Sequence, residues 1–222
     1  MQQPLEPTLN GVFPCPVYCA KRGVDLSRAE IKEIKEITGA GMMRFGEQNI
    51  AIGEGYLSPL KSTNTHIFDD GLKELKRFCE HHIKLYVEKV ITPREELDVY
   101  FTQSWLNIIQ PGESHHEHSH ANSFVSGGFY VSTVEDDKIT FGDPNVKVRG
   151  ALKISKSEYH VWNSPSWYFP VVNGDLVLFP SWLSHKVERN EKATTDRISI
   201  SFNTFVKGSL GSVETFSELI LG

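Results

Sequence analysis

The spacing of hydrophobic positions changes character near residue 96. Before that point the apolar residues recur at helical intervals. Ile31, Ile34 and Ile37 follow Ser27-Arg28-Ala29-Glu30, which has capping-box spacing, and Gly39 and Gly41 end the pattern. A longer stripe of Leu72, Leu75, Cys79, Ile83, Val87 and Val90 begins near Asp69 or Asp70 and stops before Pro93. Two amphipathic helices are predicted, and His81 and His82 on the second are expected to be solvated rather than ligands. Upstream, residues 11–19 carry Pro14 and Pro16, which confine them to a short edge strand. After residue 96 the chain breaks into short β-branched and aromatic runs. Strands are predicted at Leu97–Ile109, Phe124–Ser132, Lys138–Phe141, Tyr159–Trp162, Asp175–Phe179, Ser184–Glu188 and Arg197–Phe205. Turn signals such as Pro111-Gly112, Asp136-Asp137 and Asn173-Gly174 separate them. Their number and spacing predict a mainly β fold, a jelly-roll or sandwich, with two N-terminal helices packed outside.

Composition narrows the picture. With 39% hydrophobic and 23% charged residues among 222, the chain has the apolar content to fold rather than stay disordered. One domain is expected over residues 1–222: a helical region spanning 1–95, a β core over 96–206 and a short tail over 207–222. The net charge of −5 gives no general attraction for nucleic acid or an anionic membrane. Three cysteines cannot close a disulfide framework, so reduced thiols are expected. Met1-Gln2-Gln3-Pro4 has no leader pattern, and nowhere do about 18 apolar residues run together. The expected location is the cytoplasm.

Candidate chemistry concentrates in Ser114-His115-His116-Glu117-His118-Ser119-His120, which holds four of the nine histidines. Such a polar run is a poor strand unless something binds it, and neutral imidazole is a common ligand for transition metals. It leads directly into the apolar stretch Phe124–Val131, unlike a loop or tag. A second candidate region is Asn173-Gly174-Asp175-Leu176-Val177-Leu178-Phe179-Pro180-Ser181-Trp182-Leu183-Ser184-His185: a turn, a buried strand, a proline corner and one histidine. Beyond it, alternation in Arg197-Ile198-Ser199-Ile200-Ser201-Phe202-Asn203 puts Arg197, Ser199, Ser201 and Asn203 on one face. An arginine on an inward polar face needs an anion: a bound carboxylate, with Ser199 as a further donor, or an internal acidic partner.

The His-x-His element, the Ser-Gly-Gly-Phe-Tyr-Val strand, the Gly-Asp-Leu-Val-Leu-Phe-Pro-Ser-Trp-Leu-Ser-His segment and Arg-Ile-Ser-Ile-Ser-Phe-Asn together resemble the small 2-oxoglutarate/Fe(II)-dependent oxygenases of bacteria and phages. The similarity spans roughly residues 100–206. The resemblance implies a double-stranded β-helix (jelly-roll) holding Fe(II) at one end, with 2-oxoglutarate and O2 as co-substrates. The implied activity is a dioxygenase, expected to be a hydroxylase, that couples decarboxylation of 2-oxoglutarate to oxidation of a substrate. In this resemblance His118, His120 and His185 match the metal ligands and Arg197 matches the co-substrate arginine. The usual set of two histidines and one carboxylate would instead be met by His115, Glu117 and His185. Strand alternation places His116, His118 and His120 on one side and His115 and Glu117 on the other, so the two sets exclude each other. Asn107 faces with Gln103 and Trp105 and is a candidate for the co-substrate, or a core asparagine satisfied by backbone. Trp162, Trp167, Tyr168 and Phe169 are candidates for a substrate lid or for a cap on the barrel. A non-redox cupin-like metal or sugar-nucleotide binding module is the alternative, and a Zn or Ni store a third; Arg197 with Ser199 argues against both. The sequence names neither the primary substrate nor the oligomeric state, and a bacterial or phage-infected host cell is the implied setting.

Overall fold

The computed structural model describes residues 9–44, 59–95, 97–146 and 154–222, so the stretch Met1-Gln2-Gln3-Pro4 lies outside the described residues. Strands β1 (Tyr18–Lys21), β2 (Met42–Arg44), β3 (Leu60–Ser62), β4 (Asp98–Ile109), β6 (Val125–Ser132), β9 (Asp175–Pro180) and β11 (Arg197–Leu210) form the larger sheet, in the order β1-β9-β6-β11-β4-β3-β2. β12 (Leu219–Leu221) pairs with the end of β11. The smaller sheet runs β5 (His115–His118), β10 (His185–Val187), β7 (Lys138–Gly142), β8 (Ser166–Pro170). All strand pairings are antiparallel, and the two sheets make the jelly-roll.

Helix α1 (Arg28–Ala40) starts with a full capping box: Ser27 Oγ accepts from the Glu30 N–H, and Glu30 Oε2 accepts from the Ser27 N–H at 2.8 Å. A short helix α2 (Ile67–Asp70) precedes α3 (Lys73–Tyr86), which continues as a π-helical turn over Val87–Ile91. The α3 stripe of Leu75, Cys79, Ile83 and Tyr86 packs on Leu106, Phe129, Leu178, Ile200 and Phe202 of the larger sheet, and this is the main hydrophobic core. Thus β11 sends Ile200 and Phe202 outward under the helix, while Arg197, Ser199 and Ser201 face the space between the sheets. Gly127 sits where a Cβ would lie 2.5 Å from the Phe202 ring, so only glycine lets β6 approach β11 here.

The structure departs from the sequence pattern at several points. The edge strand begins at Tyr18, beyond both prolines. Tyr159–Trp162 is a turn closed by Asn163 Oδ1 accepting from the His160 N–H, and the strand lies later, at Ser166–Pro170. β11 runs past residue 206 and pairs with β12, so the tail belongs to the sheet. His82 is not purely solvated: its Nδ1 lies 2.8 Å from the Tyr18 hydroxyl. Among the described residues, no helix is long and apolar enough to cross a membrane.

Candidate metal centre

The histidine cluster is set by the pairing of β5 with β10. His118 lies opposite His185 and His115 opposite Val187, with a bulge between, so three steps on β5 match two on β10. The bulge turns His115 to the side of His118, their ring centroids 4.2 Å apart. Strict alternation, which would separate His115 from His118, therefore fails at this bulge. β5 ends at His118, and His120 lies beyond it, fixed by its N–H donating to the Ser181 carbonyl at 2.9 Å. Ser181 is held in turn by hydroxyl contacts with Ser126 at 2.8 Å and Ser123 at 2.7 Å. His185 opens β10 immediately after the Pro180 corner, buried against Phe179 at a ring separation of 4.5 Å.

One nitrogen from each of His118, His120 and His185 lies within 4.8 Å of the other two. Nδ1 of His118 is 2.8 Å from the His116 carbonyl oxygen and Nδ1 of His185 is 3.1 Å from that of Leu183. A nitrogen facing a carbonyl must carry the proton, which leaves the Nε2 lone pair of each ring free. His120 Nε2 and His185 Nε2 then face each other at 3.3 Å. Burial is the main cause that pushes His120 down to about 4 and His185 to about 3, so neither ring is charged at neutral pH. A divalent cation would satisfy these converging lone pairs, and three neutral imidazoles fit a first-row metal. His115 lines the same slot, its pKa also driven well down by burial. Glu117 does not join it: the exposed carboxylate accepts from Ser184 Oγ, and it packs at Gly142. The structure thus brings His118, His120 and His185 together and keeps Glu117 apart from His115 and His185.

The slot continues between the sheets past Trp105, Asn107, Ser201 and Ser199 to Tyr130 and Arg197, a cavity of about 50 Å³. Trp105 packs 6.0 Å from His120, and its Nε1 donates to Asn107 Oδ1 at 3.1 Å. Asn107 Nδ2 donates to Ser201 Oγ at 2.8 Å, so one of its N–H groups remains available. Arg197 is buried with an acidic partner: Nε donates to both carboxylate oxygens of Asp137 at 2.9 Å. Nη1 lies 3.4 Å from Ser199 Oγ, and the guanidinium sits 5.0 Å from the Tyr130 ring centre. Burial raises Tyr130 to about 12, which keeps its hydroxyl protonated as a donor. The pattern of β11 alone does not reveal Tyr130 or Asp137. Tyr130 stands in an apolar strand, and Asp137 looks like half of a turn. The aromatic connection lines a different hollow, of about 510 Å³, with Trp162 and Trp167 beside Phe13 and Phe141. Neither that hollow nor the open groove of about 1050 Å³ along the π-helical turn contains a histidine.

Histidines at one end of a polar slot, inside a jelly-roll with helices packed on its larger sheet, make a candidate metal centre. Solved structures share the architecture. The α-ketoglutarate-dependent epimerase SnoN of nogalamycin biosynthesis aligns over 86% of this chain and 78% of its own, at 12% identity and TM-score 0.58. The Trichoplax adhaerens prolyl hydroxylase aligns over 85% and 83%, at 11% identity and TM-score 0.56. The Pseudomonas putida prolyl-4-hydroxylase aligns over 85% and 92%, at 12% identity and TM-score 0.51. At such identities the likeness shows the fold. The curated proteins contain no match to the chain. Residues 103–203, which hold the whole slot, match the family described as "Putative 2OG-Fe(II) oxygenase". That match, together with the fold and the histidine cluster, supports an oxidoreductase, a dioxygenase that uses Fe(II), 2-oxoglutarate and O2.

Proposed function

We propose that His118, His120 and His185 are the iron ligands and that Arg197 is the co-substrate anchor of a hydroxylase. The observation that carries the ligand set is the facing Nε2 pair of His120 and His185, with His118 beside it and Glu117 turned away. Bound Fe(II) would supply the oxidising chemistry that couples loss of CO2 from 2-oxoglutarate to oxidation of a substrate C–H bond. This chain's own residues do the positioning. The carbonyls of His116 and Leu183 fix the ring tautomers, as outer partners of metal-bound histidines commonly do. Asp137 occupies Nε of Arg197 and so orients the guanidinium, leaving its Nη groups for the distal carboxylate of 2-oxoglutarate. The Tyr130 hydroxyl and Ser199 Oγ are further donors at that end, and Asn107 offers its remaining N–H. The narrow slot excludes bulk water around these contacts.

Calorimetry of the Mn(II)-loaded protein with 2-oxoglutarate tests this, together with succinate release by the Fe(II) protein under air. The expected result is one 2-oxoglutarate per chain, succinate formation inhibited by N-oxalylglycine, and loss of metal uptake in His185→Ala. Arg197→Lys keeps a cation for Asp137 but loses the planar fork, and 2-oxoglutarate affinity should fall roughly 10- to 150-fold. No 2-oxoglutarate binding and no succinate would sink the assignment in favour of a cupin-like binder.

A further inference from the structure

Lys61 on β3 is the cation that the co-substrate chemistry leaves unused. It pairs directly with Asn107 on β4, Asn107 with Ser199 on β11, and Ser199 with Tyr130 on β6. Directly paired residues in an antiparallel sheet project from the same face, and the last three line the histidine slot. Lys61 therefore starts the same inward row at its β3 end. Its Nζ sits 5.8 Å from the centre of the Trp105 ring, which itself packs on His120.

A cation in such a place ordinarily has a counter-charge. Lys32, Lys76, Lys138, Lys186 and Lys192 each reach a carboxylate within 4.0 Å. Among the described residues no carboxylate lies within that distance of Lys61, although it is only partly exposed. Its held position is a cation–π contact, which orients the ammonium without neutralising it. We propose that Lys61 is the recognition cation for the primary substrate, which is a small molecule bearing an oxyanion, a carboxylate or a phosphate, near the C–H bond that is oxidised. This deepens the reading above and rests on it. Arg197 serves the co-substrate at the β11 end of the slot, and Lys61 serves the substrate from the β3 end beside the histidines. Two anions held at separate cations do not compete, so both can be bound at once.

The test uses protein loaded with Mn(II) and saturating 2-oxoglutarate, with acetate, methyl phosphate and neutral acetamide as probes. The readout is Mn(II)-induced relaxation of the probe methyl protons, which falls steeply with distance and registers only a probe held near the metal. Saturable relaxation of acetate or methyl phosphate, with none for acetamide, is expected, and the stronger of the two anions identifies the oxyanion. Lys61→Met should weaken that binding at least about tenfold and Lys61→Arg should retain it. Should Lys61→Met fail to fold, the contrast of anions with acetamide and the Lys61→Arg titration still decide. No saturable effect from either anion, or full retention in Lys61→Met, overturns the proposal while leaving the oxygenase assignment in place. Loss of 2-oxoglutarate affinity in Lys61→Met overturns it too, by assigning the cation to the co-substrate. A wild-type protein that takes up neither Mn(II) nor 2-oxoglutarate overturns the metal reading first, and this inference with it.

Discussion

Replacing Arg197 by Met tests the buried pair behind the proposed anchor. The Arg197 and Asp137 side chains are only 6% and 2% exposed, and the Asp137 carboxylate takes both of its side-chain hydrogen bonds from Arg197 Nε. Methionine would fill most of the volume but leave a carboxylate in a dry site without a partner. Removing one member of a buried pair costs about 3–5 kcal/mol. At about 2–4 °C per kcal/mol for a chain of this size, the midpoint should fall by roughly 6–20 °C. Thermal unfolding of the metal-free protein, followed by circular dichroism and checked by urea titration, measures it. The double variant Arg197→Met/Asp137→Leu removes both charges and should recover most of the loss, because an apolar replacement of a buried pair is often neutral. If Arg197→Met melts within about 2 °C of wild type, or the double variant is as damaged as the two single losses summed, the pair does not hold this corner.

Glu117→Ala should retain stoichiometric Fe(II) binding, whereas alanine at His118, His120 or His185 should abolish it; metal titration by calorimetry separates these outcomes, and loss of metal in Glu117→Ala would restore the carboxylate ligand set. Metal-free protein should lose stability as pH falls from about 6.5 toward 4: His120 and His185 titrate near 4 and 3 when folded, so in that window the unfolded chain binds more protons. Melts at pH 7 and pH 5 check the sign, and a double His120→Gln/His185→Gln variant should show a flatter profile. Gly127→Ala should cost about 1–3 kcal/mol by overpacking, since its Cβ would meet Phe202 at 2.5 Å and Leu178 at 2.7 Å; an unchanged urea midpoint would show that Phe202 yields freely.

The strict alternation of β11 made its two faces legible, because both are lined: one by the apolar stripe of α3, the other by the slot. The histidine register was not. A bulge adds one residue to one strand and reverses every facing beyond it, and nothing in His115-His116-Glu117-His118 marks where that happens. Lys61 was invisible for another reason: β2 and β3 are three residues each, too short to show a period. Tyr159–Trp162 has strand-like residues, but the Asn163 side chain closes them into a turn, which is a local competition that composition cannot rank.

The larger sheet acts as a partition wall. One face carries the helix-packed apolar mass that determines whether the chain folds, and the other carries the polar row that determines what it recognises. Substitutions at Asn107, Ser199 or Ser201 meet the slot without touching the packing of Leu106, Ile200 or Phe202 behind them. Selection can therefore rewrite the guest list of this barrel one inward position at a time while the load stays on the opposite side of the same strands. Arg197 is the exception, since it is bound to Asp137 and serves both sides of that division of labour.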